Sequence, residues 1–177
     1  HIETVNLMRA RCAQCLERLR PLLGDELAGT RLILPGIQVS AGTRIEAGGR
    51  TLELLHFGWA STPGDLAVFD PATGVLFTGG LVSVGRIPEI RDCDFDGWLE
   101  ALDRIAALPV AVVVPGHGVT SGPDAVGATA GYLRALDRAL RALYAGGSSL
   151  IDALDAASLP AYADWSMYPA AHRRNAL

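Results

Sequence analysis

The chain has 177 residues and a net charge of −4, with half of its residues hydrophobic and 19% charged. That length and balance fit one domain over residues 1–177 with a core of its own, and exclude a disordered chain. Every one of the 15 basic residues is arginine, which excludes a lysine nucleophile or Schiff base, and the dispersed, slightly acidic charge argues against nucleic acid, which needs a clustered basic face.

The opening segment, HIETVNLMRARC, lacks an initiator Met and an apolar leader core, so a processed or internal start is expected. No apolar run reaches the length of a membrane span. Residues 5–23 place Leu7, Met8, Cys12, Cys15, Leu16, Leu19 and Leu23 at helical spacing, with Gly24 as the stop. Cys12 and Cys15 share one face of that helix. They read as small core residues, as a local disulfide, or as part of a metal site, and no second Cys or His pair at finger-like spacing accompanies them.

Short strands are expected over 31–34, 43–46 and 50–57, separated by Pro35-Gly36, Ala41-Gly42 and Gly48-Gly49. Asp65–Phe69 and Val75–Thr78 predict an antiparallel hairpin closed by Asp70-Pro-Ala-Thr-Gly74, where Pro presets φ and Gly takes positive φ. Asp96 is the expected N-cap of a helix over 97–107 with Trp98, Leu99, Leu102, Ile105 and Ala106 as its apolar stripe. Val110–Val114 reads as a strand buried on both faces. Helices follow over about 123–145 and 148–157, then a segment ending in His172-Arg-Arg-Asn175. Trp59, Trp98 and Trp165 each lie in apolar patterns that suit packing.

The strand at Val110 stops in Pro115-Gly-His-Gly118, which holds His117 on a stiff loop at a sheet edge. Thr62-Pro-Gly-Asp65 precedes one hairpin strand and Thr78-Gly-Gly80 ends the next, so both can face the edge that carries His117. Asp65 is expected to tie down its turn by accepting backbone N–H bonds. His56 reads as a hydrogen-bonded strand histidine, His1 as a mobile terminal residue, and His172 as packing or capping the C-terminal helix. Asp92, Asp94 and Asp96 read as solvated charges and a cap, since the spaced Gly and Glu of a calcium loop are missing.

Taken jointly, Thr-Pro-Gly-Asp, Gly-Val-Leu-Phe-Thr-Gly, Arg86-Ile-Pro88, Gly97-Trp98, Val-Pro-Gly-His-Gly and the terminal His-Arg-Arg-Asn resemble the metallo-β-lactamase-fold hydrolases. More narrowly, the pattern is similar to the quinoprotein relay system zinc metallohydrolases and their hydroxyacylglutathione-hydrolase-like relatives. The resemblance implies an α+β fold, the αββα sandwich, of which these residues cover mainly the C-terminal half. The N-terminal portion with the His-rich motif is expected to be absent from them. It also implies zinc at the edge between two sheets and hydrolysis of an ester, thioester or lactam. The compartment it implies is the periplasm, otherwise the cytoplasm.

Three of the family's ligand positions fall within these residues. They are occupied by Ser61, Gly80 and His117, of which His117 alone is a family ligand. The expectation is therefore a hydrolase that is incomplete or inactive as given, with zinc not retained by this chain alone. The other reading is a metal-free member serving as a binding module. Expected partners are a small acyl substrate or a carrier protein, and a second copy covering an inner sheet face left open.

Overall fold

In the computed structural model all 177 residues are placed, and every side chain is described except those of residues 150, 153 and 155. In chain order the elements are α1 (Ile2–Leu23), β1 (Thr43–Ala47), β2 (Arg50–Leu55), β3 (Ala67–Asp70), β4 (Val75–Ser83), α2 (Phe95–Ala106), β5 (Val112–His117), α3 (Asp124–Ala145), α4 (Leu150–Ala156) and α5 (Arg173–Asn175). The strands form one sheet in the order β1-β2-β3-β4-β5. The first four are antiparallel neighbours and β5 runs parallel to β4. Two antiparallel strands can be joined by a tight turn, but a parallel pair needs a crossover, and α2 supplies it between β4 and β5.

The register explains which residues make the core. Phe69, Leu76 and Val113 are successive partners across β3, β4 and β5, and all three are buried. One residue further along each strand, Val68, Phe77 and Val114 are partners on the opposite face, because side chains alternate along a strand. Phe77 is 47% exposed there. The buried face packs under α2 and α3, whose Trp98, Ala101, Leu102, Ile105, Val126, Ala130, Leu133 and Leu136 complete one cluster with it. Burying each large side chain contributes roughly 1.5–3 kcal/mol. Trp98 also donates its indole N–H to the carbonyl of Leu81 at 3.0 Å, which anchors α2 to β4.

Several expectations need correction. Residues 31–34 form no strand: their alternation of apolar residues finds no neighbouring strand to pair with, and Ile33 is 67% exposed. β4 does not stop at Thr78 but runs through both glycines to Ser83, with irregular pairing to β5. β5 is an edge strand with only Val113 fully buried, its free side touched by a two-bond bridge from Ser121. The N-cap position of α2 is held by Asp94, and Asp96 lies in the first turn. Trp59 is 53% exposed and donates to the carbonyl of Asp92 at 2.8 Å instead of packing inside. Cys15 is exposed and Cys12 half-buried, and both are free thiols, as is Cys93, whose pKa burial pushes up. The helix that carries the first two buries only Val5.

Candidate functional site

The site is built where β4 and β5 end together. A pocket of about 320 Å³ opens there, lined by residues from five places in the chain. Ser61 and Thr62 come from the turn before β3, Gly80 and Ser83 from the second half of β4, Arg86 to Glu89 from the segment after it, and His117 from the end of β5. Trp98 of α2 completes the wall. The two hairpin ends and the Pro-Gly-His-Gly stretch thus meet, though His117 is the last residue of β5, which starts at Val112, and not part of a loop after Val114.

Glycine makes this convergence possible at β5. A Cβ on Gly116 would lie 2.3 Å from the Gly79 carbonyl oxygen, and one on Gly118 would lie 2.1 Å from the Val84 carbonyl oxygen. Only residues without a side chain let the two backbones approach so closely. Val84 N–H then donates to the His117 carbonyl at 2.9 Å, which fixes the histidine backbone beside the pocket.

Ser61 is buried and its hydroxyl is engaged. Its Oγ lies 2.9 Å from each carboxylate oxygen of Asp65. Asp65 also accepts from the Thr62 backbone N–H at 2.7 Å and the Thr62 hydroxyl at 2.8 Å. The carboxylate is thus aimed back into its own turn. The turn is further held by His56, whose Nδ1 lies 2.9 Å from the Asp65 carbonyl oxygen. The His1 ring stacks on His56 at 3.9 Å between centroids, and its Nε2 is buried without a partner.

Gly80 presents only backbone, and a Cβ placed on it would lie 3.1 Å from Ser61 Oγ, so positions 61 and 80 are direct neighbours. The His117 imidazole has no hydrogen-bond partner among the described residues, and although the residue is exposed, its ring is partly desolvated. That desolvation lowers its pKa, Arg86 lowers it further, and Glu89 opposes them, so the neutral ring is favoured near neutral pH. His172 lies away from this site: its Nδ1 is 3.0 Å from the Tyr132 hydroxyl and its Nε2 2.6 Å from the Ala157 carbonyl oxygen.

The donor set decides what the pocket can hold. A catalytic zinc normally has three protein ligands. Here one imidazole is available, the Ser61 hydroxyl and the Asp65 carboxylate bind each other, and Glu89 is hydrogen-bonded to Arg91 and Arg174. Among the described residues no three His, Cys, Asp or Glu side chains are grouped to hold a metal ion. The residues present do not fit a zinc ion by themselves. Ser83 carries no motif of its own, and Arg86 and Trp98, visible as parts of the Arg86-Ile-Pro88 and Gly97-Trp98 motifs, were not read as pocket residues because each reaches the pocket through long-range packing.

The metallo-beta-lactamase superfamily model matches residues 16–117, and the chain belongs to that superfamily. Among solved structures, it is similar to a metallo-beta-lactamase from Pontibacter korlensis at 25% identity and a TM-score of 0.54, over 64% of this chain and 55% of that one. It is also similar in fold to TMB-1, whose structure was solved in work on substrate and inhibitor binding, at 19% identity and a TM-score of 0.51, over 65% of this chain and 53% of that one. The chain therefore spans about half the length of these structures. The α+β metallo-beta-lactamase fold is the one the sequence resembles, here with one five-stranded sheet among the described residues. No helix is long and apolar enough to cross a membrane among the described residues.

Proposed function

We propose that this chain carries part of the working edge of a hydrolase that acts on an ester, thioester or lactam, and that on its own donors it is inactive. The observation that supports this reading is the meeting of Ser61, Gly80 and His117 in one pocket at the ends of β4 and β5. Zinc is the metal the family implies, and the residues here supply one donor toward it, His117. A second reading is favoured by the Ser61–Asp65 pair: a hydroxyl already bonded to both oxygens of a carboxylate suits a metal-free binding module.

Zinc content and turnover of p-nitrophenyl acetate and nitrocefin separate the two. The hydrolase reading expects no stoichiometric zinc and no turnover in the chain as it stands. It expects zinc binding and metal-dependent turnover when Ser61→His is combined with Gly80→Asp, since those changes raise the pocket's donors to three. Loss of that gain on adding His117→Ala completes the case. A double variant that folds and still takes up no zinc overturns the hydrolase reading and leaves the binding module.

A further inference from the structure

Cys12 and Cys15 lie one turn apart on α1, and both are free thiols. Cys15 is exposed and Cys12 half-buried. With its rise and 3.6-residue turn, a helix sets Cα atoms at i and i+3 about 5 Å apart. That lies inside the roughly 4.4–6.8 Å that a disulfide spans. The Cβ atoms start about 5–6 Å apart, and a disulfide needs them at roughly 3.5–4.5 Å. The bond can therefore close, but only by distorting the turn, and a distorted disulfide is easily reduced.

The turn that must give is one the fold constrains little. Ile2, Thr4, Val5 and Arg11 tie α1 to the rest of the chain, and Arg11 pairs with Asp92 at 2.9 Å. Residues 13–15 and 17–26 are all exposed, and the core cluster takes nothing from the helix. A distortion there leaves the core intact. Cys93 is different. It packs against the core, and burial pushes its thiol pKa up, with Asp94 and Asp92 adding to the shift, so it stays a neutral and unreactive thiol.

The charge around the pair selects its reaction partner. Between Thr4 and Gly24 stand Arg9, Arg11, Arg18 and Arg20 against one acid, Glu17. Asp92 takes the charge of Arg11. Arg9 precedes Cys12 by one turn, Arg18 follows Cys15 by one turn, and both are exposed. In a chain of net charge −4, this helix is a local excess of positive charge. It draws an anionic partner to the thiols. A small disulfide that carries carboxylates has that chemistry.

We propose that Cys12 and Cys15 form a reversible dithiol site that exchanges with a small anionic disulfide. The exposed Cys15, as thiolate, attacks one sulfur of that disulfide. A mixed disulfide forms, and the departing small thiolate takes up the proton that Cys15 gave up. Cys12, again as thiolate, then attacks the Cys15 sulfur and expels the second small thiol in the same way. Two protein thiols are oxidised and one small disulfide is reduced to two thiols, so an excess of small thiol reverses both steps. The site uses no metal and no residue of the pocket at the ends of β4 and β5, and it stands or falls apart from the hydrolase reading.

Incubation with glutathione disulfide, alkylation of the remaining thiols and mass spectrometry of tryptic peptides test it. Cleavage after Arg11 and Arg18 leaves Cys12 and Cys15 together in a peptide over 12–18 that holds no other cysteine. That peptide becomes lighter by two hydrogens, Cys93 keeps its thiol, and excess glutathione restores the starting state. Cys12→Ser stops at a glutathione adduct on Cys15. Cys15→Ser, left with the half-buried thiol, reacts on the order of ten-fold more slowly than Cys12→Ser. Cys93→Ser leaves the rate of closure unchanged. In urea no helix has to be distorted, so half-reduction needs a several-fold higher ratio of glutathione to its disulfide than in the folded chain. The proposal is overturned if the 12–18 peptide keeps both thiols in excess glutathione disulfide, or if a stable adduct, a bond to Cys93 or a bond to a second chain accumulates instead. Equal half-reduction ratios in the folded and urea-unfolded chains also overturn it.

Discussion

Ser61 Oγ sits 2.9 Å from both carboxylate oxygens of Asp65, so a single hydroxyl proton is shared between two acceptors four residues along the chain. The Thr62 backbone N–H and hydroxyl complete the ring around the same carboxylate. The Ser61 side chain is thereby part of the turn that Asp65 organises. The same bonds that order this turn keep the Ser61 hydroxyl and the Asp65 carboxylate engaged with each other.

The two partners should not be equal when removed. Ser61→Ala leaves Asp65 with its two bonds from Thr62, and should cost about 1 kcal/mol, the net worth of one hydrogen bond. Asp65→Ala leaves the Ser61 hydroxyl and both Thr62 donors without their acceptor, and should cost about 2–3 kcal/mol, because part-buried donors lose their partner. Urea denaturation of the two variants measures the difference. Equal losses would show that the carboxylate is not the hub of this turn.

A second prediction concerns the buried cluster of Tyr132, His172 and Asn175. His172 Nε2 lies 2.6 Å from the Ala157 carbonyl, which can only accept, so Nε2 carries the proton and Nδ1 accepts from the Tyr132 hydroxyl. Asn175 Nδ2 donates to the same hydroxyl at 3.0 Å. Burial pushes the Tyr132 pKa up to about 12 from an ordinary value near 10. Between those two pH values the unfolded chain has lost the proton while the folded chain keeps it. The stability this tyrosine contributes is complete below about pH 10 and is lost as pH rises toward about 12, by at most about 1.4 kcal/mol per pH unit. Tyr132→Phe should flatten that part of the stability–pH curve in urea titrations. A variant curve as steep as the wild type would assign the alkaline loss to other groups.

Much of this architecture was readable locally. Asp70-Pro-Ala-Thr-Gly74 specifies a turn, and Gly74 takes a φ of 70° there, so the β3–β4 hairpin needed no long-range information. The stripe from Trp98 to Ile105 set the buried face of α2 in the same way. The Pro-Gly-His-Gly stretch marked the end of the strand, although β5 runs through Pro115 and Gly116 to His117 itself. Ser83 was not readable, and Arg86 was readable as part of the Arg86-Ile-Pro88 motif but not as a pocket residue. Arg86 reaches the pocket because Ser166, eighty residues away, brackets its backbone, and Ser83 because β4 continues beyond two glycines that locally suggest a stop. Cys12 and Cys15 fail for the opposite reason: helical spacing gives a shared face but says nothing about whether anything covers it.

Glycine substitutions should split by what a Cβ would meet. Gly116→Ala drives a methyl toward the Gly79 carbonyl at 2.3 Å, and neither backbone can move without opening the β4–β5 pair. The expected cost is about 1–3 kcal/mol or more, as for overpacking a core. Gly127→Ala, on α3 with nothing within 4 Å, should instead raise stability by roughly 0.5–1 kcal/mol through helix propensity. Thermal melts of the two variants check both signs, and destabilisation by both would break the argument from space.

The last prediction concerns how α1 is attached. Its ties to the rest of the fold lie near its start: Ile2 N–H donates to the Val39 carbonyl, the Thr4 hydroxyl donates to the Gly64 carbonyl at 2.8 Å, Val5 is buried, and Arg11 pairs with Asp92. Beyond Cys12 the apolar residues Leu19, Leu22 and Leu23 are exposed. A Cβ on Gly64 would lie 2.2 Å from Thr4 Oγ1 and 2.5 Å from Thr4 N, so Gly64→Ala must displace the first turn of the helix. The core cluster draws on β3, β4, β5, α2 and α3 and takes nothing from α1. Gly64→Ala should therefore speed proteolysis and amide exchange within residues 2–23 by several-fold while moving the global melting midpoint little, because local openings and global unfolding are separate events. A midpoint that falls as far as it does for Gly116→Ala would mean that the helix is part of the cooperative core after all.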